Sequence, residues 1–210
     1  MSLSKILRNI DIELKEREKA KNELYDSMRK AIRLSKKAIF LMHREKFVGA
    51  RKALSETAKL FRILEDISTN HQELLHAGIV HSAFQEYSEA QILLSLLHET
   101  QFVKPSDIQV PSISYLLGLA DVVGELRRTT LDSLRKGDVK TAERHLTTMD
   151  DIYRKIIALD EAMHFVSELR RKVDIARRII EITRGDVTIE VRRSSLEQSI
   201  KKLHNAMKNE

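Results

Sequence analysis

Two pairs of carboxylates fall at helical spacing inside otherwise apolar stretches of this 210-residue chain. Glu86 and Glu89 are three residues apart, and Asp121 and Glu125 are four apart. On a helix, either spacing puts both side chains on one face. Ile79, Ala83, Glu86, Ala90, Leu93 and Leu97 share a stripe, so Glu86 interrupts an apolar face. The run YLLGLADVVGEL at 115–126 is apolar except for Asp121, Gly118, Gly124 and Glu125. Burying ionised carboxylates costs several kcal/mol each unless a cation compensates. Between residues 63 and 126 the sole Lys or Arg is Lys104. A divalent ion shared by the two pairs would supply the missing charge. Carboxylate ligands favour the hard ions Mg²⁺, Mn²⁺ or Ca²⁺. Carboxylate pairs are also common on solvated helix faces, so residue type and spacing leave both readings open.

The other polar residues narrow the chemistry. There is no Cys, which excludes disulfides and thiolate metal sites. None of the four acids has a His three residues on, so they do not build the Glu-x-x-His pattern of di-iron bundles. His71, His76, His81 and His98 lie at spacings that build no metal site with Glu86 and read as polar-face residues. No Gly-rich phosphate loop, Ser-His-Asp order or nucleotide fingerprint occurs. Gly118 and Gly124 flank Asp121 inside an expected helix, where each costs about 1 kcal/mol relative to Ala. Close approach of another helix or a ligand would account for them.

Charge is segregated along the chain. The formal net charge is +6, but residues 27–52 hold nine Lys or Arg against Glu45 alone. Residues 63–126 hold nine Asp or Glu. Arg29, Arg33, Lys36, Lys37 and Arg44 form one basic stripe at helical offsets. Lacking interleaved acids, the stripe suits phosphates better than a solvated face. Arg127 and Arg128 follow the acidic run and are placed to hold a phosphate beside a metal. Aromatic residues are 5% of the chain, which argues for backbone-dominated binding over base stacking.

These residues must be positioned by helices. The spacing predicts helices over about 3–45, 47–68, 71–102, 112–136, 138–163, a sixth ending at Arg184-Gly185-Asp186, and a seventh to Lys208. Both prolines fall in the loop KPSDIQVP at 104–111. The alternating stretch TIEVRR at 188–193 has no partner strand and is read as helix. The expectation is a single all-α domain over 1–210, a seven-helix bundle. No apolar stretch reaches the length of a membrane helix and the N-terminus lacks a signal core, so a cytoplasmic protein without membrane contact is expected.

Three segments carry a resemblance. YLLGLADVVGELRR (115–128) resembles the signature of translin-associated factor X, the catalytic relative of translin. FQEYSEA (84–90) resembles that family's other acidic motif, SKKAIFLMHRE (35–45) its first-helix motif, and RGDV (184–187) a family turn. The resemblance implies the translin fold and a homo-oligomeric shell of about eight subunits. It implies a Mg²⁺-dependent endonuclease, with Mn²⁺ able to substitute, cutting single-stranded RNA or DNA, RNA first. The family's four catalytic, metal-holding acids match Glu86, Glu89, Asp121 and Glu125, and a translin-like partner chain is possible. The alternative is a translin-like binder of single strands without catalysis.

Overall fold

The computed structural model describes residues 2–98 and 101–208, and these are helical apart from short turns and one loop. The chain divides into two compact units, 1–118 and 119–210. In the first, α1 (Leu3–His43) is followed by α2 (Phe47–Leu60), α3 (Ile63–Asn70), a 3-10 turn (Gln72–His76) and α4 (Gly78–His98). Helix α5 (Ser112–Arg135) begins in this unit and runs into the second. The second unit continues with α6 (Val139–Ile157), α7 (Asp160–Phe165) and α8 (Ser167–Lys208).

Helix α1 presents Leu24, Met28, Ala31, Ser35, Ala38, Ile39 and Met42 to the interior at offsets of three and four. It packs against α2 and α4. Leu24, Met28, Ala31, Ile67, Leu74, Val80 and Ala83 form one core cluster, which fixes the face α1 turns outward. Its opposite face carries the exposed cations Arg29, Arg33, Lys36 and Lys37, and Arg44 follows as an exposed cap. In the second unit α8 buries Leu169, Val173, Ala176, Ile180, Thr183 and Val187 and packs on α6 and α7.

The helical path is the expected one, with four corrections. The 47–68 segment is divided at Phe61-Arg62, where the Phe61 ring stacks on Phe84 and meets Tyr87 edge-on. The 71–102 segment starts as a 3-10 turn, and α4 begins only at Gly78, so His71 and His76 are not on the helix of Glu86. Residues 99 and 100 lie outside the described residues. The 138–163 segment is divided at Ala158-Leu159, and α7 restarts with Asp160 and Glu161 in its first turn, where acids suit the helix dipole. Helix α8 passes straight through Gly185. The buried series Ile180, Thr183, Val187 continues across the glycine, and packing overrides its low propensity. Gly137, by contrast, ends α5 as expected. It has φ +75°, and Asp138 caps α6 by accepting from the Thr141 N–H at 3.0 Å. The TIEVRR stretch is helical.

Candidate functional site

The four carboxylates sit as two half-buried pairs, one pair in each unit. Glu86 and Glu89 lie on α4 beside the buried Ala83, Tyr87, Ser88 and Ala90. The Tyr87 hydroxyl accepts from Gln91 at 2.7 Å, and burial raises its pKa above the ordinary tyrosine value. Asp121 and Glu125 lie on α5 among the buried Ala120, Val122, Val123 and Leu126. All four side chains are intermediate in exposure, as expected of acids interrupting apolar faces.

Their compensation corrects the expectation that no protein cation serves them. The Lys36 ammonium, from the basic face of α1, lies 3.1 Å from Glu86 Oε1. The Lys172 ammonium, from α8, donates to Asp121 Oδ1 at 2.7 Å and Oδ2 at 2.9 Å. Glu168, one turn before Lys172 on α8, approaches the same ammonium at 3.5 Å. The 63–126 stretch does lack its own cations, but the fold delivers them from helices far away in sequence. Nothing in local spacing marks Lys172, which sits in the charged run SELRRKVD; its one sign is that it borders the buried Leu169 and Val173.

Each pair suits a hard divalent ion in chemistry, since it is all carboxylate oxygen and sits where positive charge is favoured. The ammonium contacts at Glu86 and Asp121 mark that preference. Among the described residues no three His, Asp or Glu side chains are gathered as a metal cage.

One glycine has the expected close approach. A Cβ on Gly118 would lie 2.7 Å from the Gln85 carbonyl oxygen, 2.8 Å from the Glu89 nitrogen and 2.8 Å from Ser88 Cβ. The start of α5 therefore lies backbone-to-backbone on the acidic turn of α4, and only glycine fits. Tyr115, one turn earlier, donates its hydroxyl to the Val103 carbonyl at 2.7 Å and ties the loop to α5. A Cβ on Gly124 would meet nothing within 4 Å among the described residues, so close packing does not explain that glycine.

The basic residues divide by engagement. Arg29 lies 3.8 Å from Asp26 and over the Tyr25 ring. Arg44 lies over the Phe40 ring at 4.5 Å. Arg33 and Lys37 are exposed and form no ion pair among the described residues. Arg127 donates to the Thr183 hydroxyl at 2.8 Å and lies 3.4 Å from Asp186, linking α5 to α8, while Arg128 is exposed. The RGDV segment is thus a stitched stretch of helix, with Arg184 donating to both carboxylate oxygens of Asp150 at 2.8 Å. His98 contacts Arg51 at 3.0 Å and the edge of Phe47, in keeping with a polar-face histidine.

The model of the Translin family matches residues 19–207. The chain belongs to the translin family. An uncharacterized protein of Methanocaldococcus jannaschii is 29% identical over 158 residues, covering 75% of this chain and 69% of that protein. Among solved structures, AfC3PO in complex with duplex RNA is similar at 33% identity and TM-score 0.75, covering 89% of this chain and 97% of that one. Apo-NeC3PO is similar at 26% identity and TM-score 0.79, covering 88% and 96%. The fold is therefore the all-α fold of this translin-family group. No helix among the described residues is long and apolar enough to cross a membrane.

Proposed function

We propose that this protein is a Mg²⁺-dependent endonuclease of the catalytic, translin-associated factor X branch, acting on RNA in the cytoplasm within a homo-oligomeric shell. The observation that carries the reading is the complete quartet Glu86, Glu89, Asp121 and Glu125, each acid half-buried on an apolar helix of a translin-family chain. The four acids would hold the metal, with Mn²⁺ able to substitute. When bound, Mg²⁺ would supply Lewis acidity to the phosphate and to the attacking water. Glu89 or Glu125 would take a proton from the water that attacks phosphorus, while the P–O bond to the leaving nucleotide breaks and the leaving oxygen is protonated from solvent. Arg33 and Lys37 attract the phosphate backbone, and Arg128 is open to a phosphate near the acids.

The alternative is binding without cleavage. Strand state is a separate question, because AfC3PO is solved with duplex RNA while the basic stripe suits single strands equally. Incubating pure protein with labelled single-stranded RNA, duplex RNA and single-stranded DNA, in Mg²⁺ and in EDTA, decides among these. Cleavage of single-stranded RNA in Mg²⁺ alone is expected. Undiminished cleavage in excess chelator overturns the metal reading, and binding without cleavage selects the alternative.

A further inference from the structure

Lys172 is more buried than the carboxylate it holds, with its side chain 11% exposed against 26% for Asp121. An ammonium has three N–H donors and needs acceptors for all of them when buried. Here both Asp121 oxygens take short bonds, and Glu168, 46% exposed, stands at 3.5 Å. Lysine reaches its partner through a flexible four-carbon stem and acts as a mobile point charge. The ammonium therefore has a strong partner on α5 and a second, solvated partner on its own helix. A divalent ion at Asp121 would meet the Lys172 charge at close range and repel it.

We propose that Lys172 is a built-in counter-ion of Asp121 that a divalent cation displaces, with Glu168 receiving the released ammonium. Metal occupancy at Asp121 and movement of Lys172 onto Glu168 are then one coupled event. Lys172 is a positioning residue: it holds the Asp121 carboxylate in place while no metal is bound, and it sets how tightly metal binds. The proposal rests on the metal reading above. Linkage requires that whatever loosens Lys172 from Asp121 tightens metal binding, and the reverse.

The test is direct Mn²⁺ titration of the full-length protein by electron paramagnetic resonance, with Mg²⁺-dependent thermal shifts alongside. The native protein should show a Mn²⁺ site that Asp121→Asn removes. Lys172→Met should bind Mn²⁺ more tightly by on the order of tenfold, having lost a unit charge at contact range. Its thermal shift on adding Mg²⁺ should exceed that of the native protein, and Lys172→Arg should shift as the native does. Glu168→Gln should act oppositely, weakening Mn²⁺ by roughly two- to threefold, and should have no further effect in a Lys172→Met background. That cycle separates a relay through Lys172 from a plain field effect. Unchanged or weaker Mn²⁺ binding in Lys172→Met overturns the inference but leaves the metal reading standing. Absence of any Asp121-dependent Mn²⁺ site in the native protein overturns both. Should Lys172→Met fail to fold, Glu168→Gln and Lys172→Gln carry the test, and Glu168→Gln binding Mn²⁺ as tightly as native overturns the proposal.

Discussion

Asp121 and Glu86 are chemically alike and energetically different. Asp121 is held by an almost buried ammonium, whereas the Lys36 that reaches Glu86 is 62% exposed and screened by water. Asp121→Asn should therefore destabilise the metal-free protein by about 1–3 kcal/mol, because Lys172 keeps its charge in a site built for a carboxylate. Glu86→Gln should change stability by less than about 0.5 kcal/mol. Urea unfolding in EDTA measures both, and equal effects would contradict the difference in burial. The type and spacing of these acids were legible in the sequence, because helical periodicity alone shows a carboxylate interrupting an apolar stripe. Their partners were not. Lys172 is 51 residues from Asp121, and a scan for compensating charge along the acidic segment cannot see a cation that only tertiary packing delivers.

At the scale of helices, the glycines separate local propensity from packing. Gly118→Ala would drive a Cβ into two backbone atoms of α4, so it should destabilise by about 1–3 kcal/mol. Gly185→Ala meets nothing within 4 Å among the described residues and has an ordinary helical backbone, so it should stabilise α8 by up to about 1 kcal/mol. Denaturant midpoints of the two variants should move in opposite directions. The helix ends that sequence located well carry strong local signals: Gly137 with its positive φ, Asp138 as a cap, and the prolines of the loop. The divisions at Phe61 and Ala158 carry no glycine or proline, and depend on where a ring packs and where acids restart a helix. The basic stripe on α1 was legible because core positions on one face dictate what the other face shows. Replacing Arg33 and Lys37 with Ala should weaken RNA binding and lower the slope of log affinity against log salt by about 2. A slope equal to native would return these residues to an ordinary solvated face.

Among the described residues, each unit carries a long exposed apolar seam. Leu3, Leu7, Ile10 and Leu14 of α1 follow offsets of four, three and four and are 45 to 69% exposed. Ile189, Leu196, Ile200, Leu203 and Met207 of α8 follow offsets of seven, four, three and four and are 58 to 70% exposed. Both are heptad seams of the kind that helices bury against other helices. The sequence shows the periodicity of each seam, but not that it stays outside its own unit's core; that follows only when Leu24 onward in α1, and Leu169 through Val187 in α8, are seen to fill the interior without them. Continuous exposed apolar surface of this kind marks an interaction face. We expect other copies of the chain to cover it, so purified protein should scatter light as a homo-oligomer well above 24.3 kDa. Leu196→Asp with Leu203→Asp should lower that mass, since a charge on a seam cannot be buried against an apolar partner. The same double variant should leave the α6–α8 core intact, because both positions are solvent-facing within the unit and the residues that pack on α6 lie earlier in α8. Far-ultraviolet circular dichroism beside light scattering separates the two effects: lower mass with helicity retained over most of the chain supports assembly through the seam. A native protein that runs as a monomer at micromolar concentration would show the seams to be tolerated exposure, and the shell would have no basis in them.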